Sequence, residues 1–253
     1  MIYCDAHCHL GSRQFDEDRE QMLERMMENK VRKAIVICCS RQDFEYGIRL
    51  REMNPDFKLA MAIHPQDLED DHDETRLERF VRLAEETKPD MIGETGLDYY
   101  SHPHTKDHQQ HFFIEQLKLA QKLKLPVDIH SRKASNDTLQ ILKQYPVKGI
   151  IHSYSGSIEM ARLYMKEGFY ISFGASVLFK DAKKPKEVVK EMPLDRLLIE
   201  TDCPYLPPVP HRGEINCSAY MFFTLRAMAD AVGCDEETLA AKLVENTKRL
   251  FGI

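Results

Sequence analysis

His7 and His9 form a His-x-His pair, with Asp5 two residues before His7. In an extended segment alternate side chains share a face, so Asp5, His7 and His9 point one way and Cys8 the other. That shared direction makes His-x-His a pincer for one metal ion. With eleven histidines in the chain, such a pair is weak by itself. Glu94, His130, His152 and Asp202 strengthen it, because each closes a short apolar run, as in Ile199-Glu200-Thr201-Asp202. Polar side chains gathered at corresponding points of a core are costly unless paired or metal-bound. Six donors exceed the three or four that one zinc takes from protein. The set suits two divalent ions bridged by a carboxylate, and Glu94, near its middle, is the natural bridge. Such a pair, roughly 3.5–4 Å apart, can activate a water and stabilise an in-line displacement. Four imidazoles favour zinc, manganese or another transition metal over magnesium, which prefers oxygen. The chemistry indicated is metal-dependent hydrolysis.

The elements that must position these residues are short apolar runs separated by amphipathic stretches. The runs are Ile2–Asp5, Ala34–Ile37, Lys58–Met61, Met91–Gly93, Val127–Ile129, Gly149–Ile151, Tyr170–Ser172 and Leu197–Ile199. Segments such as Met22-Leu23-Met26-Met27 and Phe112-Phe113-Gln116-Leu117-Ala120 have helical spacing. Strands alternating with helices imply a parallel sheet, because each crossover covers a sheet face. Eight such units in 253 residues predict an α/β fold, a single-domain (β/α)₈ TIM barrel over residues 1–253, with its site at the C-terminal strand ends. A doubly wound open sheet would carry a Gly-rich turn after its first strand, and none is present. Pro204, Pro207, Pro208 and Pro210 predict an extended loop leaving the eighth strand, and 216–253 supplies the last helices.

Composition narrows the partners. Hydrophobic residues make up 43% and charged residues 30%, an ordinary globular balance. A net charge of −6 argues against coating long nucleic acid through a broad basic surface, while leaving room for a pocket that grips phosphates. No apolar stretch is long enough to cross a bilayer, and Met1–Asp5 does not read as an export signal, so cytoplasmic residence is the default expectation. Seven cysteines without a regular framework read as reduced thiols, with Cys38-Cys39 as packing.

Several longer motifs, in order along the chain, carry a family resemblance. They are His7-Cys8-His9-Leu10, Ala62-Ile63-His64-Pro65, Gly93-Glu94-Thr95-Gly96-Leu97-Asp98-Tyr99, His130-Ser131-Arg132, His152-Ser153-Tyr154-Ser155-Gly156 and Glu200-Thr201-Asp202-Cys203-Pro204-Tyr205-Leu206. Together they resemble the TatD-type metal-dependent deoxyribonucleases, which belong to the amidohydrolase-like metal barrels. The resemblance implies one metal site of His7, His9, Glu94 and Asp202 and another of Glu94, His130 and His152. It also implies hydrolysis of DNA from its ends, with Asp202 taking a proton from the attacking water. Magnesium stays open because some members accept it. The chain departs from the family pattern at Ser153-Tyr154, Lys133 and Glu214, and in lacking a proline two residues after Asn216.

The expected activity is therefore a two-metal exonuclease acting on 3′ single-stranded DNA ends, with Asp202 and Glu94 as its catalytic carboxylates. His64, Arg132, His211 and Arg212 are the expected phosphate contacts, with Glu200 and Asp98 supporting the ligands. Arg132 has a second reading as a partner of Asp98, and His64 as a cap. The rivals are a hydrolase of small amides, esters or lactones, and a metal-binding scaffold without turnover. His102, His104, His108 and His111 are expected at a solvated helix start, and Glu69–Glu74, with His72, at another. The Met22, Met26 and Met27 stripe is expected in the core.

Overall fold

The computed structural model describes residues 2–68, 74–179 and 182–251. Strands β1 (Tyr3–Cys8), β2 (Val31–Cys38), β3 (Phe57–Met61), β4 (Met91–Asp98), β5 (Val127–Arg132), β6 (Gly149–Ile151), β7 (Phe169–Phe173) and β8 (Leu197–Ile199) pair in chain order. Every pairing between successive strands is parallel. The last seam is made by residues beyond β8: His9 N–H donates to the Cys203 carbonyl at 2.8 Å, and Asp202 N–H to that of His7 at 3.0 Å. These bonds nearly close the eight-stranded barrel and set Asp202 beside His7.

Helices α1 (Arg19–Glu28), α2 (Arg41–Met53), α3 (Glu74–Thr87), α4 (Lys106–Leu123), α5 (Ser135–Gln144), α6 (Ile158–Lys166) and α7 (Lys183–Glu191) follow the first seven strands. Helices α8 (Met221–Val232) and α9 (Glu236–Phe251) complete the chain. Each predicted apolar run lies within or overlaps a strand, but β1, β4 and β5 run on into the polar motifs. Gln109 and Gln116 of α4 hold the extended end of β4. Gln109 receives Asp98 N–H at 2.7 Å and donates to the Asp98 carbonyl at 3.1 Å. Gln116 receives Ile63 N–H at 2.7 Å and donates to Thr95 Oγ1 at 2.8 Å.

Strand alternation separates two apolar layers. Val36, Leu59, Ile129, Ile151, Ile171 and Leu197 face the helices, packing with residues such as Phe112, Leu117 and Tyr164. Ile35, Ile37, Ala60, Ile150, Tyr170 and Leu198 form a separate plug inside the barrel. Toward the C-terminal ends the inward positions turn polar, from Leu198 to Glu200, from Ile150 to His152 and from Tyr170 to Ser172. The plug is a floor, and the polar layer above it is the site.

Some expectations change. His108 is not solvated: it is buried, and its ring meets Phe112 edge-on at 4.6 Å, one turn further along α4. His104 and His111 are exposed, as a helix start implies. Met22 and Met26 are buried, with Met27 packed against the core. All seven cysteines are free; Cys38 is buried, whereas half-buried Cys39 forms part of a cleft wall. Residues 69–73, including His72 and most of the expected acidic helix entry, lie outside the described residues.

Candidate metal centre and its cleft

Three groups of donor atoms, each group within 4.8 Å, converge on Glu94: His7 with Glu94 and His152, His7 with His9 and Asp202, and His64 with Glu94 and His130. The two carboxylate oxygens divide the cluster. Oε2 faces His7 Nε2 at 3.5 Å and His9 Nε2 at 3.7 Å. Oε1 faces His130 Nδ1 and His152 Nε2, both at 2.7 Å, and His64 Nε2 at 3.3 Å. One carboxylate so placed can serve two ions.

The first half has the spacing of a coordination shell. Donors about 2.0–2.1 Å from a tetrahedral ion stand roughly 3.3–3.4 Å from one another. His7 Nε2 lies 3.2 Å from His9 Nε2, and Asp202 Oδ1 lies 3.5 Å from each. With the two distances to Glu94 Oε2, five edges of the tetrahedron fall between 3.2 and 3.7 Å. Two imidazoles and two carboxylates are also the donor chemistry a divalent transition metal takes. The second half is tighter, its 2.7 Å contacts being those of charge-assisted hydrogen bonds. His130 Nδ1 and His152 Nε2 stand 3.4 Å apart there.

Each of three imidazoles is oriented by a carboxylate on its far side. His7 Nδ1 meets Asp128 Oδ2 at 3.1 Å, His130 Nε2 meets Asp98 Oδ2 at 3.2 Å, and His152 Nδ1 faces Glu200 Oε1 at 3.5 Å. Glu200 also accepts the Ser153 N–H at 2.7 Å. Asp5, expected on the same face as His7, instead accepts from Thr201 N–H at 2.9 Å and from the Thr201 hydroxyl, tying β1 to the approach to Asp202. Burial pushes its carboxyl up to about 6 against those bonds. Burial also opposes charge on Glu94, yet His152, His64 and His7 hold its carboxyl well below the ordinary range. For His7 burial opposes protonation, but Asp128 and Glu94 raise the imidazole well above its usual value.

Asp128 is a site residue that the sequence reading passed over. Its signal was available: it sits two residues before His130, on the same inward face of β5. Carboxylates behind ligating imidazoles typically tune metal affinity by about 10–100-fold. Asp128→Asn is therefore expected to weaken metal binding by roughly that factor while preserving the far-UV circular dichroism spectrum. Titration of the metal-free protein measures it, and an unchanged affinity would remove Asp128 from the support of His7.

The cluster lies in a cleft of about 1120 Å³ whose lining includes His9, His64, Arg132, Tyr205 and Arg212. His64 serves in two ways: Nδ1 accepts Gln66 N–H at 3.2 Å, capping a short turn, while Nε2 faces Glu94. Arg132 does not pair with Asp98, whose oxygens are engaged by His130, Gln66 and Ser101. Its guanidinium instead lies 4.2 Å from the Tyr100 ring centroid. Arg212 stacks at the same distance over Phe179. His211 does not join them: its ring stacks on Tyr220 at 3.9 Å, and Nδ1 pairs with Glu214 at 2.9 Å. Glu214, one of the positions at which the chain departs from the resembling family's pattern, is the partner in that pairing. Asn216 is a further residue whose role the sequence did not reveal. Buried, it donates to the carbonyls of Thr201 at 2.9 Å and Tyr205 at 2.7 Å, holding the loop that carries Asp202.

A sequence profile described as TatD related DNase matches residues 4–252. The chain belongs to the TatD family. It is 42% identical over 252 residues to YabD of Bacillus subtilis (strain 168), an uncharacterized metal-dependent hydrolase, with 98% of each chain covered. YcfH of Escherichia coli (strain K12), described in the same words, is 35% identical over 259 residues, covering 100% of this chain and 97% of YcfH. The crystal structure of YjjV, a TatD homolog from E. coli K12, matches with a TM-score of 0.92 at 29% identity, covering 99% of this chain and 98% of that one. The TatD-family chain is thus a metal-dependent hydrolase on a (β/α)₈ barrel, and the cluster around Glu94 lies at the barrel end where such folds build their sites.

Proposed function

We propose that this TatD-family hydrolase cleaves DNA phosphodiester bonds, acting from the 3′ ends of single strands with two divalent ions as cofactors. The observation that carries the reading is the pairing of cations with the metal cluster. Arg132 and Arg212, each stacked on an aromatic ring, line the cleft that contains Glu94 and Asp202. A guanidinium offers a planar fork of donors matched to phosphate oxygens, and stacking limits the freedom lost on binding. A cleft for small uncharged amides or lactones has no comparable use for two cations.

His7, His9, Glu94 and Asp202 would hold one ion and Glu94, His130 and His152 the other, with His64 adjoining the second. Bound divalent ions supply Lewis acidity and lower the pKa of water. Asp202 accepts the proton of the attacking water. Its carboxyl is ionised and so able to accept one: although burial opposes charge, the hydrogen bond from His9 and the neighbouring imidazoles of His7 and His152 hold it below the ordinary range. Arg132 and Arg212 grip phosphate oxygens and fix the strand for in-line attack. Asp98 and Glu200 keep His130 and His152 in place.

The test is cleavage of 3′-labelled and 5′-labelled single-stranded oligonucleotides with Mg²⁺, Mn²⁺ or Zn²⁺, against chelated enzyme and Asp202→Asn. Stepwise metal-dependent shortening from the 3′ end, absent in both controls, is the expected result. Inert DNA alongside turnover of a small ester, lactone or amide would overturn the DNA assignment and leave the metal centre standing.

A further inference from the structure

The chain has ten tyrosines and twelve phenylalanines, and among the described residues only Tyr100 and Tyr205 present exposed rings, at 61% and 48%. Both stand at the C-terminal rim of the barrel. Tyr100 follows β4 and Tyr205 follows β8, strands four places apart in an eight-stranded order. Single exposed aromatics are common on protein surfaces and need no account. One that lines the cleft and one that lies against a cleft-lining arginine, when the other aromatic rings are at least partly covered, do.

Both rings are held in place. Tyr100 N–H donates to Asp98 Oδ1 at 3.0 Å, and Arg132 lies over one face of the ring. Tyr205 N–H donates to the Asp202 carbonyl at 2.9 Å, and its own carbonyl accepts from buried Asn216. The Tyr205 ring meets His9 edge-on at 5.5 Å, so it stands directly beside a metal donor. Each tyrosine is thus anchored through its backbone to a residue of the site while its ring stays open to solvent. A ligand with flat apolar faces on either side of a central anion would match this rim.

We infer that Tyr205 and Tyr100 are stacking platforms for the nucleobases on either side of the scissile phosphate, an inference that rests on the DNA reading above. Stacking on a side chain requires bases free of their pairing partners, and it tolerates any base because each has a π face. The two tyrosines therefore select unpaired ends and confer little sequence preference. Arg132, gripping phosphate while covering Tyr100, couples backbone and base recognition on that side.

The test compares an intact single-stranded oligonucleotide with one whose last two 3′ nucleotides are abasic, using wild type, Tyr205→Ala, Tyr100→Ala and Tyr205→Phe. Loss of one stacked base costs roughly 5- to 150-fold in affinity. Wild type, losing both stacked bases, is expected to lose at least about that factor in kcat/KM on the abasic end, mainly through KM. Tyr205→Ala should show part of that loss already on intact DNA and a correspondingly smaller further loss on the abasic end, the remainder being the share of Tyr100. Tyr205→Phe should behave as wild type. Equal rates on both substrates by wild type, or full discrimination retained by both alanine variants, would overturn the inference. Anisotropy of the same oligonucleotides, labelled with fluorescein and bound to metal-loaded Asp202→Asn, separates the two readings. Base-dependent binding that Tyr205→Ala abolishes, without cleavage by wild type, would overturn hydrolysis of DNA and keep the platforms. Neither binding nor cleavage would overturn both.

Discussion

Glu94→Gln is expected to lower metal-dependent turnover on the order of 10³-fold or more, equivalent to about 4 kcal/mol of transition-state stabilisation. The substitution keeps the size and shape of the side chain and removes its charge. It also turns one of two acceptor oxygens into an NH₂ donor, which cannot ligate a cation. Since Oε2 faces His7 and His9 while Oε1 faces His130, His152 and His64, either orientation of the amide deprives one half of the cluster of its shared anion. The imidazoles that Glu94 now balances would be left facing one another in a buried site. Metal content by elemental analysis should fall together with kcat. A Glu94→Gln enzyme with wild-type metal content and turnover would refute the bridging role and with it the two-ion reading of the cluster.

Gly96→Ala should lower the thermal midpoint by roughly 5–15 °C, corresponding to about 2–5 kcal/mol in a chain of this size. Gly96 has φ +139, a backbone conformation that side-chain-bearing residues rarely adopt, and a Cβ there would lie 2.1 Å from the His130 carbonyl oxygen. That oxygen belongs to the neighbouring strand, where Gly96 is paired with His130. No rotamer relieves the clash, so β4 and β5 must separate locally. Because β4 carries Glu94 and β5 carries His130, weaker metal binding should accompany the lower midpoint. A scan of wild type and variant, with and without metal, measures both effects. An unshifted midpoint would mean that the two strands have slack that their register does not suggest.

Much of this site was legible in the amino-acid order. Alternation along a strand gives each side chain a direction, so His7 with His9, Asp128 with His130, and Glu200 with Asp202 share a face by counting alone. Eight apolar runs alternating with helices fix which end of each strand carries the polar residues. The apolar runs understated β1, β4 and β5, because the sequence signal for a strand is apolarity whereas the upper barrel interior is polar. Thr95 and Asp98 are buried strand residues that lie beyond the apolar run closed by Glu94. Gln116 meets the Thr95 hydroxyl and Gln109 the Asp98 backbone from α4, and a glutamine within a buried helical stripe is a signal that periodicity discounts.

By itself, then, the sequence determined the barrel, the inward direction of the donors and their gathering at one end, since these follow from local periodicity and chain order. Only the tertiary structure decided how the donors pair. Asp128 stands behind His7 across 121 residues of chain, His64 joins the face of Glu94 opposite His7 and His9, and Arg132 rests on Tyr100 rather than Asp98. It also turned His211 onto Tyr220 and buried His108. The reason is physical: a strand's own period sets which way a side chain points. What it meets depends on inter-strand register, barrel tilt and the course of loops. Those are set by contacts between residues far apart in the chain, and no local pattern records them.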